Sequence, residues 1–306
     1  MTVNRRLVLK AGLAMGALLP TQTAWAERQS SSLLMGRVSG LNEDIPIVGL
    51  GSWITFNVGN DTQLLDESTK VIAAFLEGGG RMIDSSPMYG SSQQTIGYAL
   101  RKLNQHQTVF SADKVWTSSQ SNGPIQMEQT RRNWGVERFD LMQVHNLVNW
   151  EGHLDTLGAM KADGKIRSIG ITTSHGSRHQ MLEKIMASRP IDFVQLTYNV
   201  VDRDVEQRLL PLARERGIGV IVNRPYRRGA LLQRFEKQPL PSWVAETGAK
   251  NWAQFLLKFV ISHPAVTCAI PATTRVDHVR ENLAAAQGEL PDAGMRKRML
   301  DYIGTL

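Results

Sequence analysis

The 306-residue chain has a single cysteine, Cys268, so no disulfide can close within it. Its neighbours Val266, Thr267, Ala269 and Ile270 mark it as a buried strand residue, which argues against a redox or metal role; no metal is expected. Long apolar runs are also missing. The stretch 11–19 falls well short of the roughly 20 residues that cross a bilayer, so no stable membrane anchor is expected. There is no basic run with interleaved aromatics, which argues against a nucleic-acid partner despite the formal charge of +7. No low-complexity linker divides the chain, and a length of 306 residues suits one large core.

Acids are absent from residues 1–26, which instead hold Arg5, Arg6 and Lys10 and then the apolar stretch. Ala24-Trp25-Ala26 follows as a small-x-small cleavage site, so 1–26 is expected to be a signal peptide and 27–306 the mature domain. The arginine pair before a modest apolar stretch resembles a twin-arginine signal, which implies export machinery as a partner and a periplasmic destination. Those three bases removed, 32 remain against 28 acids, a mild excess spread along the chain.

After the signal, short apolar runs alternate with longer amphipathic segments. Strands are expected at 47–50, 81–83, 109–112, 141–144, 168–171, 193–196, 219–222 and 267–270. Helices are expected at 64–76, 93–103, 125–134, 154–162, 178–187, 205–216 and 252–261, with a last one at 276–286. Eight strand–helix units imply a (β/α)₈ TIM barrel in the α/β class. Residues 233–247 are expected to be an added loop, and 35–44 a hairpin closing the barrel floor. An open doubly wound sheet would want a glycine-rich phosphate loop after its first strand. Gly49-Leu50-Gly51-Ser52-Trp53 lacks the third glycine and the following helix.

In such a barrel the reacting groups stand at the C-terminal strand ends. Asp84 follows the second strand, Lys114 the third and His145 the fourth. Thr172 and Thr173 end the fifth, Gln195 lies in the sixth, and Asn223 and Arg224 follow the seventh. An acid, a base and a histidine brought to one point are costly to bury unless they pair, and such clusters are candidates for chemistry.

Asp84-Ser85-Ser86-Pro87-Met88-Tyr89-Gly90 resembles the Asp-x-x-x-x-Tyr-Gly segment of aldo-keto reductases. The likeness continues through 91–97, through Phe139-Asp140-Leu141-Met142-Gln143-Val144-His145, and through Lys165-Ile166-Arg167-Ser168-Ile169-Gly170. Gln195, Tyr198-Asn199, 216–220, Ile270-Pro271 and Glu281-Asn282 extend it over about 41–290. The resemblance implies an NAD(P)H-dependent enzyme that reduces a small carbonyl substrate. It implies Tyr89 as general acid, Lys114 as the cation beside it, Asp84 holding that lysine and His145 orienting the substrate oxygen. It also implies that Trp53 and Trp116 line the substrate pocket.

Departures from the family pattern bear on the cofactor. Thr172 and Thr173 replace the usual Ser-Asn pair, and Asn223 replaces a stacking aromatic, with Arg224 beside it. Ala272 and His278 stand where a Lys and an Arg are frequent, which leaves Thr273, Thr274 and Arg275 as phosphate ligands, with Glu281 and Asn282 beyond them. NADPH is the expected cofactor and NADH the alternative. A competing reading is a cofactor-binding sensor barrel with little turnover, because free NADPH is not expected outside the cytoplasm.

Overall fold

The computed structural model describes residues 32–41, 43–174 and 176–306; the Arg5-Arg6 signal and its cleavage site lie outside the described residues. A short antiparallel hairpin comes first, β1 (Met35–Gly36) paired with β2 (Ile45–Pro46). Eight parallel strands follow in chain order around one sheet. They are β3 (Leu50–Gly51), β4 (Met82–Asp84), β5 (Phe110–Val115), β6 (Phe139–His145), β7 (Ile166–Thr172), β8 (Phe193–Thr197), β9 (Gly219–Asn223) and β10 (Cys268–Ala269). Bridges Val48–Ala269 and Gly51–Ala272 join the last strand to the first and close the barrel. The expected (β/α)₈ architecture is the one observed.

Period-2 alternation sorts the strand residues. Met82, Phe110, Ala112, Leu141, Phe193, Ile221 and Cys268 face inward as one apolar cluster at the barrel floor. Val38 and Ile45 of the hairpin segment pack into the same cluster, so the hairpin plugs the floor as expected. The alternate residues, such as Ile83, Val144, Val194 and Val222, pack outward against the helices. Moving up the same inward columns, the apolar layer gives way to Asp84, Lys114, Gln143, His145, Thr172, Gln195 and Asn223. Gly170 makes room in this layer: a Cβ there would lie 2.8 Å from Cγ of Gln143.

The helices are α1 (Thr62–Glu77), α2 (Ser92–Leu103), α3 (Asn122–Trp134), α4 (Trp150–Ala162), α5 (His179–Ser188), α6 (Leu209–Arg216), α7 (Ala230–Phe235), α8 (Trp252–Ile261), α9 (Val276–Ala285) and α10 (Ala293–Ile303). Three expectations need correction. The 205–216 helix starts at Leu209, with Pro211 in its first turn, because proline has no N–H for an earlier turn and would clash there. The 233–247 loop is not plain loop: α7 reaches Phe235, and a 3₁₀ turn spans Val244–Thr247. The 276–286 helix is not the last, since α10 follows. Asp292 caps α10 by accepting from Met295 N at 2.7 Å, and Arg296 ties it to Ser262 Oγ at 2.9 Å and to Glu206 at 3.3 Å. No helix among the described residues is long and apolar enough to cross a membrane.

Candidate active site

At the C-terminal ends of the strands the inward polar layer opens into a cavity of about 410 Å³. Beneath its wall lies Lys114, fully buried. Its Nζ donates to Asp84 Oδ2 at 2.6 Å and to the Ser85 carbonyl at 2.5 Å. Asp84 is clamped in turn. Gln143 Nε2 donates to its Oδ1 at 3.0 Å and Gln195 Nε2 at 2.9 Å, while Ser52 Oγ donates to its carbonyl at 2.8 Å. A buried ion pair of this kind is tolerable because each remaining polar site is satisfied. Burial alone would lower the Lys114 pKa, but Asp84, Tyr89 and Asp113 together outweigh it and hold the ammonium above its usual range.

Tyr89 stands between this pair and the cavity. Lys114 Nζ lies 5.2 Å from the centre of its ring. Burial pushes the phenol pKa up, and the Lys114 charge, which pulls it down, does not cancel that. The phenol at rest is therefore protonated and its proton can be donated. His145 packs against the tyrosine edge at 5.7 Å between ring centres. Its Nδ1 lies 2.7 Å from Ser86 Oγ, which already accepts from Met88 N at 3.2 Å. In the tautomer where the serine hydroxyl donates to Nδ1, the imidazole carries its proton on Nε2. Burial and the Lys114 charge hold the His145 pKa down to about 2, so the ring is neutral.

The four residues singled out for chemistry, Asp84, Tyr89, Lys114 and His145, come together as expected. Trp53 lines the cavity, with Arg228 stacked 4.3 Å over its ring. Trp116 does not line it; it is 41% exposed and approaches His145 with ring centres 6.5 Å apart. Thr172, Gln195, Asn223 and Arg224 line the cavity. Thr172 Oγ1 donates to Gln195 Oε1 at 3.1 Å, and Asn223 Nδ2 to the same oxygen at 3.4 Å and to the Thr173 carbonyl at 3.2 Å. Arg224 forks onto Ser174, reaching its carbonyl and Oγ at 2.9 Å each. Burial and the neighbouring Arg228 lower the Arg224 pKa.

Thr173, Thr273, Thr274, Arg275, Glu281 and Asn282 lie outside the cavity wall. Thr273 Oγ1 accepts from Arg275 N at 3.1 Å, while the Arg275 side chain pairs with Asp277, Nε to Oδ1 at 3.0 Å. Arg275 therefore carries a carboxylate partner of its own. Glu281 accepts from Asn251 at 3.1 Å and Asn282 from Tyr226 Oη at 2.7 Å. Among the described residues no cluster of three or more His, Cys, Asp or Glu could hold a metal.

Four functional neighbours escaped the sequence reading: Ser52, Ser86, Gln143 and Arg228. Gln143 had a signal, a polar residue two before His145 on the same inward column. Ser52 and Ser86 act through single long-range contacts that carry no pattern.

The sequence model of the aldo/keto reductase family matches residues 47–298. Methylglyoxal reductase YeaE of Escherichia coli is 29% identical over 268 residues, 84% of this chain and 90% of that protein. The NADH-specific methylglyoxal reductase of Escherichia coli is 24% identical, covering 80% of this chain and 91% of that one. Among solved structures, an aldo/keto reductase from Klebsiella pneumoniae in complex with NADP and acetate has a TM-score of 0.74 at 22% identity, over 89% of this chain and 95% of that one.

Proposed function

Since the chain belongs to the aldo/keto reductase family and is an oxidoreductase, we propose that it reduces an aldehyde or ketone to the alcohol with NADPH, NADH being the alternative, and that Tyr89 supplies the proton. The convergence of Tyr89, the buried Lys114–Asp84 pair and neutral His145 on one cavity wall carries this reading. The donor set fits such a cofactor. Thr172, Gln195 and Asn223 offer amide and hydroxyl partners for a carboxamide, and Arg224 is a cation whose side-chain partners are a carbonyl and a hydroxyl, suited to a phosphate. When bound, the cofactor supplies the hydride.

The residues do the rest. His145 Nε2–H fixes the carbonyl oxygen. Tyr89 Oη, kept protonated by burial, gives its proton to that oxygen as negative charge builds there. The phenolate left behind faces the Lys114 ammonium, which stabilises it, and Asp84 keeps that ammonium in place and charged. A sensor barrel would have no use for a protonated phenol poised beside a buried cation.

Methylglyoxal is the first substrate to try, because two relatives are named for it. Tyr89→Phe is expected to cut turnover at least about 10²-fold while NADPH affinity, read by fluorescence titration, stays near wild type. Turnover like wild type in the variant removes Tyr89 from the mechanism.

Residues 1–26 extend the proposal. The Arg5-Arg6 pair supports export of the folded barrel, loaded with cofactor in the cytoplasm, where binding also stabilises the native state. Replacing both arginines by lysine is expected to leave a precursor-sized protein in the cytoplasm. Equal export of the variant in a fractionation experiment sinks the twin-arginine reading.

A further inference from the structure

Two carboxylates are buried among the described residues, Asp84 and Asp113. Only Asp84 has a place in the proton transfer above. Asp113 precedes Lys114 on β5, and period-2 alternation turns its side chain outward, between the strand and helices α2 and α3. Three N–H groups converge on it. Lys114 N donates to Oδ1 at 2.7 Å, Gln93 Nε2 to the same oxygen at 3.0 Å, and Trp134 Nε1 to Oδ2 at 2.7 Å. The charged groups that act on it are Lys114 on its own strand and Asp84 on β4, while α2 and α3 present neutral donors. A neutral acceptor would satisfy such donors without the cost of burying a charge, so the carboxylate calls for a reason beyond packing.

That reason lies in what the donors carry. Gln93 is the second residue of α2 and stands four residues after Tyr89. Its amide is itself held: Nε2 also donates to Thr130 Oγ1 at 3.2 Å, and Oε1 accepts from Asn133 Nδ2 at 3.1 Å. Tyr89 therefore lies in a loop whose two ends are fastened to consecutive residues of β5. On the inside of the barrel, Lys114 Nζ holds the β4 end through Asp84 Oδ2 and the Ser85 carbonyl. On the outside, Asp113 holds the α2 end through Gln93.

We propose that Asp113 is a positioning residue for proton transfer: from behind the strand it anchors the α2 end of the loop that carries Tyr89, and so fixes the phenol against the Lys114 ammonium. The inference rests on the reductase reading above and adds a residue to that site. The Asp113 charge has a second effect there. It opposes the pull of Lys114 on the phenol and so helps to keep Tyr89 protonated. The carboxyl, pushed up to about 7, is ionised before the phenol titrates.

The test uses the full chain with saturating NADPH and methylglyoxal, with kcat and KM followed over pH. In Asp113→Asn, kcat is expected to fall at least about tenfold while KM and the NADPH dissociation constant stay within about threefold, the mark of a misplaced proton donor. The alkaline limb, where the phenol loses its proton, is expected to move down by about half a pH unit or more, because a negative charge is gone. Gln93→Met cuts the tie and keeps the charge, so kcat is expected to fall likewise with the alkaline limb in place. This variant carries the test if Asp113→Asn does not fold. Wild-type kcat in either variant overturns the proposal. So does an unmoved alkaline limb in Asp113→Asn, or a loss of kcat matched by equal losses in KM and NADPH binding. If neither methylglyoxal nor a simple aldehyde is reduced, the reductase reading fails on its own. The Tyr89 phenol is then titrated directly, as the ultraviolet difference between each protein and its Tyr89→Phe counterpart. Phenolate at lower pH in Asp113→Asn supports the proposal, and coincident curves overturn it.

Discussion

Asp84 and Asp113 are both buried, both within reach of Lys114, and opposite in consequence. Asp84 faces into the barrel and binds the lysine ammonium at 2.6 Å. Asp113 is on the outward face of β5, where only neutral donors meet it: Lys114 N and Trp134 Nε1 at 2.7 Å each, and Gln93 Nε2 at 3.0 Å. Burial outweighs the Lys114 charge and those donors and pushes the Asp113 carboxyl up to about 7. A third aspartate, Asp277, pairs with Arg275 in the open, where the two side chains are 57% and 62% exposed. One kind of side chain thus plays three parts. One carboxylate pairs with a buried cation, a second meets only neutral donors, and the exposed pair has water as its competitor.

The largest effect should come from breaking the first pair. Lys114→Met strands Asp84 in the barrel, and removing one partner of a buried pair typically costs about 3–5 kcal/mol. Chemical denaturation should show a loss of that order. The rate at neutral pH should fall, and the phenol's apparent pKa should rise in the pH–rate profile, because the charge that favoured the phenolate is gone. An unchanged profile and midpoint would mean the pair is incidental.

A smaller, pH-dependent effect belongs to Asp113. Its folded pKa, about 7, lies above the ordinary 3.8, so between these values the native state holds a proton that the unfolded chain has lost. That contribution to stability is present below pH 4 and is lost as pH rises through 7. Asp113→Asn should flatten the fall in stability over that window, as measured by denaturation at stepped pH. A slope identical to wild type would show that the carboxyl titrates normally.

The smallest effect is at the exposed pair. Asp277→Asn frees Arg275 beside Thr273 and should tighten NADPH by less than about tenfold, since water already competes with a surface pair. NADH binding should not change. Equal gains for both cofactors in a fluorescence titration would separate Arg275 from the 2′-phosphate.

How far the sequence could be read follows from the range of each contact. Asp84, Lys114 and His145 were legible because period-2 alternation and strand ends are local, and a (β/α)₈ barrel turns strand ends into a common location. α10 has local signals too, the Asp292 cap and the spacing of Met295, Met299 and Ile303. Its docking, however, depends on Arg296 reaching Tyr198 and Glu206, contacts that no local pattern contains. Arg228 carries no local signal, because its partner Trp53 lies on another strand's loop. The partner of Arg275, Asp277, is by contrast only two residues away in the chain.

The floor plug gives Cys268 a further meaning. Its thiol is fully buried in the cluster that the hairpin residues Val38 and Ile45 complete, and burial raises its pKa, so almost no thiolate is available to an oxidant or an alkylating reagent. Only an opening that lifts the hairpin or unzips β10 exposes the sulfur. The labelling rate of this one atom is then a gauge of the barrel: under dilute reagent it reports the open population, under concentrated reagent it counts openings, and it can be followed by intact mass without any engineered probe. In an oxidising compartment the same burial makes the closed fold the thiol's own protecting group.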